Sequence, residues 1–476
     1  MSFTNRVHST DSGAQPEEPA LPLHREAVLL AVGVGTLLSA MSGSAINLAL
    51  PALGREFQIS IDSSRWVVQA FLLAVAVLLL VMGRLSDLVG HRRIYLVGFT
   101  LVGAAALACA LAPTFIALVG FRLLQGIGGA MVMASSPALL TTSFPAAQRG
   151  RVLGIQATAT YIGLTAGPPL GGFVIAWLGW RWIFHLMVPI SLVILALGWW
   201  SLPKPSGKEQ RSRFDWPGVI TLTLGLPLLF IVLNEGSVWS WSDWRLWSSS
   251  GFGLLFLFAF VLLERSSSRP LLDLSLFRSV TFSGAVLSAI ANYISLFVVL
   301  LLLPFYLEEH LNLNATGSGT VLAVQSLVMA LVASPSGWLS DRIGSRGLAV
   351  AGLSILAFGM LGLSFCADRC GRLGVALWLA VMGFGTGVFI SPNSSALMGS
   401  AGRQQQGVAA GVLAEARILG MLLGVTLGSA VFQAAGGRTG GVWRIEDLTA
   451  LKYVLWSATA VASAGAAIAG LGSKRV

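Results

Sequence analysis

Apolar runs long enough to cross a bilayer, each broken by a short polar or charged interval, recur along the whole chain. A span needs roughly 20 apolar residues, so run length predicts about fourteen membrane helices. Their centres fall near Leu38, Ala74, Gly103, Gly129, Gly163, Leu192, Leu226, Phe256, Phe297, Val328, Leu356, Val381, Gly420 and Val461. Residues 1–24 are polar and precede a run that is itself long enough to span, so they read as a tail and not as a cleaved signal. Lys and Arg are about twice as frequent in the intervals on the N-terminal side of the membrane as in the others, which predicts that both termini are cytoplasmic.

One polar interval is written twice. Gly83 to Arg93 reads GRLSDLVGHRR and Gly337 to Arg346 reads GWLSDRIGSR. Each copy joins two apolar runs by a sharp elbow. Gly83 and Gly90, like Gly337 and Gly344, allow a tight turn and close neighbours. Asp87 and Asp341 are acids at a helix end, where the positive end of a helix dipole would favour them. Arg92, Arg93 and Arg346 suit an anionic cytoplasmic face. A single copy would pass for an ordinary positive loop that sets topology. Two copies imply an internal repeat of the kind that builds secondary transporters.

The copies lie 254 positions apart, while six spans with their loops take only about 180 residues. The excess fits one additional hairpin of spans between the repeats. The expected layout is a cytoplasmic tail over 1–24, a six-helix bundle over 25–205, a linker with two extra helices over 206–270, and a second six-helix bundle with a short tail over 271–476. Trp239, Trp241, Trp244 and Trp247 crowd the outer turn of the extra hairpin and read as an interfacial anchor. The alternative is a platform on which a flat solute stacks.

Composition agrees with an all-α polytopic membrane protein. Mean hydropathy is +0.79 and only 11% of residues are charged, against about 25% in soluble domains. The net charge of +10 sits in short loops, so it does not indicate nucleic acid. Cys109, Cys366 and Cys370 are too few for a disulfide framework, and the pairing of the last two stays open. There is no Gly-Lys-Ser/Thr phosphate loop to suggest ATP as the energy source. The five histidines have no metal-ligand spacing. No cofactor, metal or catalytic residue is expected.

Polar residues inside apolar runs are the candidates for function. Arg122 falls in FRLLQGIGGA with Gln125 one turn on; it is either a working charge or a clamp on backbone carbonyls. Glu415, in GVLAEARILG, is the clearest acid within a span, with Arg417 close by but on another face. It is either a proton carrier or a structurally paired group near the cytoplasmic end. Gly163, Gly167 and Gly171 form a small-residue ridge, beside Pro168 and Gly172, for close helix contact. Gly420, Gly424 and Gly428 form another. Asn47, Gln69, Phe71, Gln125, Asn292, Tyr293 and Gln325 are candidates for a mostly apolar pocket between the repeats.

These motifs resemble the major facilitator superfamily, and within it the fourteen-span drug:proton antiporter family. The elbow resembles the loop between spans 2 and 3, which braces the two halves on the cytoplasmic side. Arg122 stands where that family has an arginine linked to proton transfer. GLTAGPPLGG, Gly163 to Gly172, resembles the antiporter signature of exporters; WRWIF (Trp180 to Phe184) and ERSSSRPLLDLSLF (Glu264 to Phe277) also match. The resemblance implies the major facilitator fold, alternating access, and export of lipophilic or cationic small molecules in exchange for protons by a monomer among membrane lipids. It implies Arg122 for proton coupling and the elbow residues as a conformational gate; Glu415, with Arg417 nearby, is expected to carry the proton because it is the clearest acid left within a span. Two departures matter. The usual span-1 acid is Ser42, and the usual asparagine after WRWIF is Met187. A lipid or metabolite exporter with weak or no proton coupling therefore stands as an alternative, and a non-transporting sensor or scaffold as a third.

Overall fold

A computed structural model of the chain describes residues 25–145, 148–203, 215–235, 243–266, 274–401, 405–437 and 445–471. Among them, fourteen helices are long and apolar enough to cross a membrane. They are α1 (Arg25–Phe57), α2 (Trp66–Val89), α3 (His91–Ala110), α4 (Phe115–Ser143), α5 (Arg149–Leu178), α6 (Arg181–Ser201) and α7 (Trp216–Glu235). Then follow α8 (Trp244–Ser266), α9 (Val280–Phe305), α10 (Ala315–Ile343), α11 (Ser345–Cys366), α12 (Arg372–Ser400), α13 (Gln406–Ala434) and α14 (Ile445–Leu471). All the expected span centres lie inside them. Helix is what lipid demands, because every backbone N–H and C=O must be met within the segment.

The chain turns where the sequence supplies turn chemistry. Gly90 (φ 100°) separates α2 from α3, and Gly344 (φ 91°) separates α10 from α11, a backbone region open mainly to glycine. Thr114, Ser279 and Asn314 cap α4, α9 and α10, each side-chain oxygen accepting from an N–H three residues on. Trp239 and Trp241 lie outside the described residues.

Helix packing repeats with a shift of eight helices. In the first half α1 packs on α4, α5 and α6, α2 on α4, and α3 on α4 and α6; in the second, α9 packs on α12, α13 and α14, α10 on α12, and α11 on α12 and α14. The correspondence extends to single atoms. A Cβ on Gly98 would lie 3.0 Å from Gly128 O, and one on Gly352 would lie 2.7 Å from Gly385 O. The shift is 254 residues from α3 to α11 and 257 from α4 to α12.

The halves meet along two seams, α5 against α10 and α2 against α13. The extra hairpin packs α7 on α8, and α7 also touches both α2 and α13. Its anchor is aromatic: Phe230 meets Trp66 edge-on, ring centroids 6.1 Å apart. The end of the molecule that carries Gly83–Arg93 and Gly337–Arg346 is called the elbow end below, and the opposite end the far end.

Candidate functional site

The seams are bonded at the far end. Arg65, at the start of α2 and almost fully buried, donates to Ser429 Oγ on α13. One turn along, Gln69 Nε2 donates to Thr426 Oγ1 at 3.2 Å. On the other seam Thr316 Oγ1 donates to Gly172 O at 3.4 Å, and Thr165 Oγ1 donates to Ser326 O at 3.0 Å near mid-span. Arg55, at the end of α1, meets Glu308, just past α9, at 3.1 Å.

At the elbow end the α2–α13 seam is open. Gly83 lies eighteen residues, five turns or about 27 Å, beyond Arg65 on the same face of α2. Gly411 lies five turns before Ser429 on the same face of α13. A Cβ on either would find nothing within 4 Å. Helices bonded at one end and separated at the other enclose a wedge that opens at the elbow end.

Glu415 stands on the seam side of α13, three turns before Thr426. It is 9% exposed, and its Oε2 has no hydrogen-bond partner among the described residues. Arg417 points elsewhere, toward the Tyr293 hydroxyl on α9. The two thus do not pair, as their spacing predicts.

The first half holds a buried polar chain. Arg122 Nε donates to Val67 O at 2.8 Å and Nη1 to Gln125 Oε1 at 2.5 Å. Its guanidinium stacks over Phe71, 4.6 Å from the ring centroid. Gln125 Nε2 donates to Met187 Sδ at 3.5 Å, and Ser42 Oγ donates to the same sulfur at 3.0 Å. The two residues that depart from the family pattern therefore touch. Arg122 is met by a carbonyl, an amide oxygen and a ring, all neutral groups.

The glycine ridge of α5 faces α1. Cβ atoms on Gly163, Gly167 and Gly171 would run into Leu37 O, Met41 O and Ala45. Only Gly172, against Ala315 O, faces the other half. The α13 ridge repeats the arrangement: Gly420 and Gly424 lie against Ile290 O and Ile294 O of α9.

Each elbow ties its own half together. Arg92 Nη2 donates to Trp199 O at the end of α6 at 2.6 Å, and Arg346 donates to Gly470 O at the end of α14. Both cations thus sit on C-terminal carbonyls, the negative end of a helix. Asp87 corrects an expectation. It lies in the last turn of α2, also a negative dipole end, and its charge is met by Arg84 at 3.8 Å, with the His91 ring at 4.0 Å. Asp341 occupies the matching turn of α10, and Arg93 is exposed.

The pocket candidates separate into groups. Gln69 belongs to the far-end closure of α2 and α13. Phe71 and Gln125 belong to the Arg122 chain. Tyr293 packs on Gly420. Asn47 is fully buried and donates to Gly43 O of its own helix at 3.1 Å. Asn292 and Gln325 are buried within the second half. The far-end residues Arg55, Arg65, Glu308, Thr426 and Ser429 were not singled out from sequence. An arginine opening an apolar run, as Arg65 does, was the available signal. WRWIF has a structural use: Trp180 Nε1 donates to Glu56 Oε2 at 2.6 Å and Arg181 pairs with the same carboxylate, fixing α6 to the end of α1. Cys366 and Cys370 pair at the far end of α11, Cα atoms 5.2 Å apart.

The family pattern described as Major Facilitator Superfamily matches residues 32–291 and 285–472. The chain belongs to the major facilitator superfamily. Among its relatives, a riboflavin transporter, RibZ, of Clostridioides difficile is 31% identical over 85% of this chain and 88% of its own. The multidrug resistance protein Stp of Mycobacterium tuberculosis is 32% identical over 85% and 75%. The tetracenomycin C resistance and export protein of Streptomyces glaucescens is 29% identical over 85% and 74%. This major facilitator is therefore a multi-pass membrane transporter, with paired six-helix halves and two additional spans.

Proposed function

We propose that this transporter exports lipophilic or cationic small molecules in exchange for protons, by alternating access between the two halves. The carrying observation is the wedge: far-end bonds between the halves, an open elbow end, and the Glu415 carboxyl on the wedge-facing side of α13. The elbow end is then cytoplasmic, in line with the excess of Lys and Arg there. The Cys366–Cys370 pair at the far end suits an oxidising exterior. The relatives named for multidrug resistance and for export support the direction.

Glu415 carries the exchanged proton in this reading, because Ser42 does not titrate and Arg122 is met by neutral groups. A charge at the membrane centre costs roughly 2.5–3.5 kcal/mol on insertion scales, and protonation removes it. The driving force is adequate. One pH unit supplies about 1.4 kcal/mol and 100 mV supplies about 2.3 kcal/mol per charge. Together they would hold a neutral solute at roughly a 500-fold gradient. Glu415→Gln tests the assignment in proteoliposomes under an imposed pH gradient. Loss of uphill export with facilitated exchange retained is expected; uphill export by the variant would assign Glu415 a structural role.

A second reading is a metabolite transporter without proton coupling. The Ser42–Met187 contact favours it, since the first half carries no acid at that place, and the likeness to a riboflavin transporter fits. A wild-type protein indifferent to the pH gradient would select it.

A further inference from the structure

On α9, α10 and α12, three amide or hydroxyl side chains that share one level hold buried atoms with no hydrogen-bond partner among the described residues. They are Asn292 on α9, through both amide atoms, Gln325 on α10, through Nε2, and Thr386 on α12, through Oγ1. Asn292 and Thr386 are fully buried, and Gln325 is 5% exposed.

Packing register brings the three to one level. Asn393 Nδ2 donates to Ala285 O at 3.0 Å, fixing α12 against the antiparallel α9. Asn292 stands seven residues after Ala285, and Thr386 seven before Asn393. Seven residues are close to two turns, so both lie on the faces that make that bond, at the same height. Gln325 stands within a turn of that level on α10. In the first half the Phe71 ring lies 3.1 Å from where a Cβ on Gly129 would stand. The repeat carries Phe71 to Gln325 by 254 and Gly129 to Thr386 by 257. A Cβ on Gly383, one turn before Thr386, would meet Gln325 O.

Neighbouring polar groups on the same stripe of α9 are satisfied. Ser288 donates to Gly465 O at 3.1 Å, and Ser295 donates to Ala458 O at 3.2 Å. On that stripe of α9 the orphaned atoms are thus confined to Asn292. Leaving them dry would incur the full desolvation cost of each, and a group bonded to two or more of them removes it. None of the three side chains is charged.

We infer that α9, α10 and α12 enclose a binding site, formed by Asn292, Gln325 and Thr386, for a small neutral group that both donates and accepts hydrogen bonds. Water has that chemistry, and so does the imide edge of a solute. The site stands apart from the transport reading; only a solute in it would deepen that reading.

Thermal unfolding of the full-length protein in detergent tests it. Asn292→Leu and Thr386→Val are each expected to lower the melting temperature by about 2–4 °C. The double variant is expected to lose less than the sum, because both residues hold the same occupant. A rise in melting temperature in either single variant would overturn the site, since it would mean the atoms were dry; strictly additive losses would do so too. Thr386→Val keeps the side-chain shape and carries the test alone if Asn292→Leu does not fold. Phthalimide, a small planar imide, separates the occupants. A stabilising shift in wild type that Thr386→Val abolishes extends the site to solutes. An equal shift in both, or none in either, leaves water as its occupant.

Discussion

Arg55 Nη2 lies 3.1 Å from Glu308 Oε2, joining the last turn of α1 to the short segment beyond α9 across the two halves. The Arg55 side chain is 62% exposed and that of Glu308 only 6%. The pair must part when the far end opens, so it biases the carrier toward the elbow-open state. With Arg55 open to solvent the pair is screened and contributes about 1 kcal/mol, enough to move a balanced two-state equilibrium several-fold. Arg55→Glu is expected to raise the alkylation rate of a cysteine placed at Thr426. Arg55→Glu with Glu308→Arg should restore the wild-type rate. If the double reversal labels as fast as the single variant, the pair does not act as a latch.

Gly83 and Gly411 need no space in the elbow-open state but lose it when the seam closes there. Gly411→Trp is expected to abolish export while leaving helicity and membrane insertion intact. The distance between spin labels on the elbow-end loops should then stay long with or without a proton gradient. Export at the wild-type rate would mean that α2 and α13 do not approach each other at this level.

Gly167 packs on α1 within its own half, so enlarging it acts first on stability. A Cβ there would overlap Ser44 and Met41 O. Gly167→Leu is expected to cost about 1–3 kcal/mol through overpacking and to lower the melting temperature as well as export. Gly83→Ala, a helical glycine in open space, serves as the control and should leave stability unchanged or raised. A Gly167→Leu protein as stable as wild type would place the ridge's role in the transport cycle alone.

Arg122 holds Val67 O and Gln125 and stacks over Phe71. Arg122→Lys keeps the charge but loses the planar stack and one of the two directed bonds. It is expected to lower both melting temperature and export. Phe71→Leu should produce part of the same loss, because the ring covers the guanidinium, and the two losses should be non-additive. Additive effects would show that the stack does not contribute.

Much of this architecture was legible in the chain. Run length located fourteen helices because lipid leaves the backbone no other local choice. The paired elbows disclosed the repeat because both turns need glycine at positive φ, at Gly90 and Gly344. Arg122 and Gln125 were paired by simple helical spacing. The closure between the halves was not legible: Gln69 with Thr426 and Arg65 with Ser429 join residues hundreds of positions apart, and helical periodicity is blind to such contacts. Asp87 was misjudged for a related reason. The sequence marks a helix boundary there, but not which end of which dipole the carboxylate occupies. Asn292 and Gln325 were chosen as polar residues in apolar runs; helical register between packed helices, which the sequence does not disclose, is what sets them level with Thr386 of α12.

The two seams differ in what holds them. Along α5 and α10 the backbones approach closely, with Gly172 on Ala315 O and Gly319 on Pro168 O, and the Thr165 and Thr316 hydroxyls bond to main-chain carbonyls across the seam. Along α2 and α13 the contact rests on side chains, and α7 leans against both. Main-chain atoms in van der Waals contact slide poorly but pivot well, whereas side-chain bonds exchange partners readily. The molecule is thus built like a bound book, with α5 and α10 as its spine and α2 and α13 as its fore-edge. The added hairpin lies along that fore-edge, with α7 set against both pages.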